Sequence, residues 1–130
     1  MRLTKKRHFA DKLKITTMKL WDAEFLLSKV RAEREGIRME RVRTKERLGQ
    51  TEVKLEAAKD KPDKKIVKSL QKLIKDLRPD VKELEKRMQH LDQWCDGPMV
   101  NEQGVDTSIK ATIDGLRALI EMLTEYRKKL

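Results

Sequence analysis

Between Asp63 and Cys95 the apolar positions keep a seven-residue rhythm. Val67, Ile74, Val81, Met88 and Cys95 recur at one position of the repeat, and Leu70, Leu77, Leu84 and Leu91 lie three residues behind them. Alternating steps of three and four put these side chains on one side of an α-helix, which predicts a coiled-coil helix over 63–95 with mostly branched residues at a and Leu at d. Pro79 falls at the outward f position and the rhythm holds its phase on both sides of it. One continuous helix kinked at the proline is therefore expected, not two.

A second, less regular seam precedes it. Leu13, Leu20, Leu27, Leu48 and Leu55 share one seven-residue line, and Ala23, Val30, Ile37 and Ala58 share a line three residues on. Arg34, Arg41, Thr44 and Thr51 occupy the remaining places, so the predicted helix over 13–59 has a polar middle. Gly36 and Gly49 weaken the same stretch by about 1 kcal/mol each. Between the seams stands Lys59-Asp60-Lys61-Pro62-Asp63. Pro62 cannot continue the first helix but suits the first turn of the next, and a tight turn makes the two helices antiparallel neighbours. Pairing outward from that turn sets Leu55 by Val67, Leu48 by Ile74, Arg41 by Val81, Arg34 by Met88 and Leu27 by Cys95.

Residues 13–30 are also apolar on another side, through Met18, Trp21 and Phe25, and need covering there. The sequence from Asp96-Gly97-Pro98 to Gly104 reads as a loop over 96–105, after which Asp106 or Thr107 caps a third helix over 106–129. Its stripe is Ile109, Ile113, Leu116, Ile120 and Leu123. This helix is expected to pack on Met18, Trp21 and Phe25, near Trp94, and its closing Arg127-Lys128-Lys129 suits the negative end of the helix dipole. The expected fold is all-α: one domain over 1–130, a long antiparallel helical hairpin (coiled coil) with a third C-terminal helix packing on its open end, preceded by a basic leader over 1–12.

Composition supports helices over sheet, since 42% of residues are charged and only 4% aromatic. No apolar run reaches the 18 residues a transmembrane helix needs, and no secretory signal follows the basic N-terminus. A single cysteine suits a reducing compartment, so a cytoplasmic setting, or the inside of a viral particle, is expected. The net charge of +10 is front-loaded. Residues 1–59 hold seventeen Lys and Arg against nine Asp and Glu, while residues 99–130 hold five of each. Arg2, Lys5, Lys6, Arg7, Lys12, Lys14 and Lys19 face a lone Asp11, a density that attracts phosphate, acidic protein or anionic lipid, or serves as a solubilising tail.

Little in the chain reads as catalytic. His8 and His90 have no Cys or second His at ligand spacing, Cys95 sits inside the seam where a packed thiol is expected, and no Gly-rich phosphate loop occurs. No enzyme activity, metal, cofactor or small-molecule substrate is expected. Glu24, Glu33, Glu35, Glu40 and Glu46 alternate with Arg31, Arg34, Arg38, Arg41 and Arg43, as on a solvated helix face. Arg34 and Arg41 stand on the seam, where their stems either reach solvent or meet carboxylates of a partner chain. Trp21, Phe25 and Trp94 read first as core, with a docking patch as the alternative. The function expected is that of a structural adaptor acting through coiled-coil contacts with protein partners or itself. The alternative is an accessory protein that binds nucleic-acid backbone through the basic N-terminal half, without reading sequence.

Overall fold

The computed structural model describes residues 2–60 and 63–130, so Lys61 and Pro62, where the helix break was expected, lie outside the described residues. Three helices account for 87% of them: α1 over Arg2–Ala58, α2 over Lys64–Asp96 and α3 over Ile109–Lys129. No strand occurs among the described residues, and Val100 and Asp106 form an isolated bridge. Pro79 lies inside α2, which runs through it as one helix. By Cα proximity the chain forms two compact units, one of Glu33–His90 and one of Met1–Ala32 with Leu91–Leu130.

In the Glu33–His90 unit, α1 and α2 lie antiparallel. Ile37 and Thr51 of α1 and Ile74, Leu77, Val81 and Leu84 of α2 are buried, and Arg34, Arg41, Thr44, Leu48 and Leu55 are half-buried. These are the seam positions that the spacing predicts. Ion pairs flank the seam, with Glu52 to Arg78 at 3.5 Å and Lys45 to Glu85 at 3.2 Å.

The pairing nevertheless differs from the expected one. An Arg41 guanidinium nitrogen lies 3.8 Å from the Met88 sulfur, and Leu55 lines one groove with Ile74. Each partner is seven residues beyond the one expected, Val81 and Val67 respectively. A heptad seam looks the same after every repeat, so sliding by one repeat, about 10.5 Å at 1.5 Å per residue, keeps apolar against apolar. At Thr51 the hydroxyl donates to the Arg47 carbonyl at 2.7 Å, which is how a seam threonine is buried without an orphaned polar atom.

In the other unit the same stripe of α1 continues through Leu13, Thr16, Leu20, Ala23, Leu27 and Val30, and Thr16 and Val30 are buried. Its cover is the last turn of α2, with Leu91 and Cys95 buried, and then α3. Antiparallel contacts fix α3 on α1: the Phe9 and Tyr126 rings stack with centroids 6.1 Å apart, and Arg117 donates to Glu24 at 3.1 Å. The predicted α3 stripe holds, with Ile109, Ile113 and Leu123 buried and Leu116 and Ile120 half-buried. Cys95 is fully buried, as a packed thiol.

The loop that hands α1 from α2 to α3 is tightly hydrogen-bonded. One Asp106 carboxylate oxygen accepts from the backbone N–H of Met99 at 3.0 Å and of Ser108 at 2.9 Å. Asn101 accepts from Gln103 and Val105, both at 3.0 Å. Gly97 has φ +79°, and a Cβ there would stand 2.7 Å from an Asp106 carboxylate oxygen, so glycine is required. The N-cap of α3 is Ser108, whose hydroxyl accepts from the Ala111 N–H, rather than the expected Asp106 or Thr107. Asp106 instead orients the capping residue, and Thr107 donates to the Met99 carbonyl at 2.8 Å.

Candidate interaction face on the first helix

Two expectations for the N-terminal part fail. The basic stretch 2–12 is no separate leader, because α1 begins at Arg2 and not at residue 13. Phe9 of this stretch stacks on Tyr126 of α3, which supports the first turns. Nor does α3 cover Met18, Trp21 and Phe25, which are 53%, 64% and 63% exposed. Having taken the seam stripe from α2, α3 leaves the opposite side of α1 bare. The core reading of Trp21 and Phe25 is therefore wrong, while Trp94, on the last full turn of α2, is half-buried.

The geometry of that bare side follows from helix periodicity. At 100° per residue, Met18, Trp21 and Phe25 fall on one face, roughly opposite Leu20, Ala23 and Leu27. Their spacing, i, i+3 and i+7, projects three large side chains from one convex ridge. Ile15 and Leu26, 55% and 40% exposed, extend it to one side. Lys29 holds its amine 4.8 Å from the Phe25 ring centroid, a cation–π contact that restrains the ring while leaving its outer surface open. Lys14, one turn before Met18, is exposed as well.

On the Glu33–His90 unit the outer side of α1 differs. Met39, Val42 and Val53 are exposed there, but Glu35, Glu46 and Glu56 interrupt them and break up any continuous apolar ridge. Glu35 is paired with Arg38, which lowers the Glu35 pKa and raises that of Arg38.

The seam arginines have carboxylates within their own chain. Arg41 Nε is buried and lies 3.5 Å from Glu85, which Lys45 also approaches. Lys45 above all, and Arg41 with it, hold the Glu85 carboxyl below its ordinary value. Arg41 thus keeps about a third of its side chain in solvent, 32%, while its Nε turns inward toward a carboxylate of its own chain. Arg34 is half-buried one heptad earlier, beside Glu35.

Lys5, Lys6, Arg7, Lys12, Lys14 and Lys19 are all exposed along α1, and the side chain of Arg2 lies outside the described residues. Lys5, Lys12 and Lys19 follow one line at seven-residue spacing, and Arg7 and Lys14 follow another that runs on into Trp21. Between α1 and α3, Leu27 and Ile113 line a groove edged by Arg31, Lys110 and Arg117 and by Glu24 and Asp114, a nearly balanced set of charges. Among the described residues no group of three or more His, Cys, Asp or Glu side chains could hold a metal ion, and no helix is long and apolar enough to cross a membrane. No protein-family model, curated protein or solved structure matches this chain.

Proposed function

We propose that the chain is a non-enzymatic helical adaptor, an assembly component of a larger complex or virion, that presents the Met18–Trp21–Phe25 ridge to a protein partner. One observation carries the reading: three large apolar side chains are more than half exposed at helical spacing, on a helix whose other apolar stripe is fully used by the fold. Large aromatics are the commonest anchors of interfaces, and an i, i+3, i+7 set is the pattern by which a helix enters an apolar groove. Lys14 and Lys29 beside the ridge favour a groove with an acidic rim. Trp94 is a further aromatic candidate, while Arg34 and Arg41 serve the seam. The three-four spacing of the α2 seam favours knobs-into-holes coiled-coil packing of α1 on α2.

The test is a pull-down from native lysate with the parent chain and with a Trp21→Asp/Phe25→Asp variant, alongside light scattering of each at several concentrations. A partner, or self-association, is expected with the parent and lost with the variant, at unchanged helix content by circular dichroism. A strictly monomeric parent that retrieves nothing, or a partner retained by the variant, overturns the reading.

A further inference from the structure

The Phe9–Tyr126 stack brings together two basic segments that are far apart in sequence. Lys5, Lys6, Arg7 and Lys12 lie within about one turn of Phe9, and Arg127, Lys128 and Lys129 within one turn of Tyr126. Residues 5–12 and 125–129 thus hold seven bases against two acids, Asp11 and Glu125. All seven bases are exposed, and only Lys128 makes a pair inside this set, to Glu125 at 3.6 Å. Read along the chain, the last three bases look like an ordinary helix ending; the fold turns them into half of a charged pole.

We propose that this pole, built jointly from the start of α1 and the end of α3, binds the phosphodiester backbone of a nucleic-acid duplex without reading its sequence. The charge excess of five within about one helical turn of the ring stack, with Arg7 on the far side of α1, supplies the attraction. The lack of anchors selects the partner class. Phe9 is half-buried against Tyr126, and the apolar surface left open among residues 3–12 and 125–129 is Leu3 and the outer half of Tyr126, 52% exposed, too little to make an apolar stripe that could lie in a bilayer. It also lacks the buried apolar centre on which a tight protein interface depends. A phosphate backbone needs only flexible cations on long stems, which the pole has.

The test is fluorescence anisotropy of labelled 20-base-pair DNA and RNA duplexes of mixed sequence, titrated with the full chain from 50 to 300 mM salt. With about five phosphates neutralised, log Kd should rise with log salt at a slope of about 4 to 5. Lys5→Gln/Lys6→Gln/Arg7→Gln and Arg127→Gln/Lys128→Gln/Lys129→Gln should each reduce the slope by about 2 to 3. Lys64→Gln/Lys65→Gln/Lys68→Gln, which removes the same charge from exposed sites at the start of α2, should leave it nearly unchanged. Lys5→Arg/Lys6→Arg/Arg127→Lys keeps the charge and should bind as the parent does, which guards against a variant that loses binding by unfolding. Trp21→Ser/Phe25→Ser, which leaves the charge unchanged, should bind duplex within about twofold of the parent, since the pole and the ridge are separate. No binding at 50 mM salt, equal losses from the α2 triple variant, or tighter binding to phosphatidylserine vesicles or an acidic peptide than to either duplex overturns the proposal.

Discussion

The inner and outer sides of α1 carry apolar residues at the same helical spacing, yet the fold treats them in opposite ways. On the inner side Val30, Ile37 and Thr51 are nearly inaccessible, covered by α2 or α3. On the outer side Met18, Trp21 and Phe25 stand in the open, although a tryptophan and a phenylalanine would contribute more burial energy than anything on the inner stripe. The strongest apolar side chains of the helix are thus the ones its own fold does not use. Periodicity says that a face is apolar; only tertiary structure says what covers it.

The sharpest way to break this comparison is to damage the inner side. Leu84→Ala in one unit and Ile113→Ala in the other remove well-buried side chains. Each should lower stability in urea unfolding by about 2–3 kcal/mol, toward the lower end for such changes because two-helix layers can close around the gap. A loss below about 0.5 kcal/mol for both would mean that the stripe does not hold the helices together. A smaller effect of opposite sign is expected at Gly36 and Gly49. Both are helical and have open space where a Cβ would go, so Gly36→Ala/Gly49→Ala should gain about 1–2 kcal/mol in the same assay.

Arg41→Leu places an apolar side chain on the polar part of the seam. Glu85 keeps Lys45 at 3.2 Å, so no carboxylate is stranded, and a gain of about 1 kcal/mol is expected from the melting curve. A loss would mean that the Arg41–Glu85 pair sets the register. The smallest effect is on acid stability. Asp106 is lowered by the N–H groups of Met99 and then Ser108, and Glu85 by Lys45 and then Arg41. Folded values below the unfolded ones mean that these contributions are complete above the unfolded values of about 3.9 and 4.3 and vanish as pH falls through the folded values. Asp106→Asn and Glu85→Gln should therefore flatten the decline in thermal midpoint below about pH 4.5, and should leave the profile between pH 6 and 8 level.

Much of the fold was legible. Every seam position named from spacing, from Leu13 to Ala58 and from Val67 to Cys95, is buried or half-buried, and the α3 stripe likewise. Spacing encodes which side of a helix is apolar, and so those assignments survive. It does not encode register, because each heptad resembles the next, and Arg41 therefore meets Met88 and not Val81. Nor could spacing decide which of two apolar sides of α1 would receive α3. Gly97 and Asp106 shape a compact loop that starts α3 close to where α2 ends, which carries the chain onto the stripe α2 has just left. The ridge of Met18, Trp21 and Phe25 was legible as three apolar residues but not as exposed surface. The basic pole was half legible, since nothing in the sequence brings Arg127–Lys129 beside Lys5 and Lys6.

The most direct test of the central claim, that the outer ridge lies outside the folding core, is urea unfolding of the Trp21→Ser/Phe25→Ser double variant followed by circular dichroism. A stability within about 0.5 kcal/mol of the parent is expected, because exposed side chains give up little when truncated. A loss of 3 kcal/mol or more would place both aromatics in the core and remove the surface on which the adaptor reading rests.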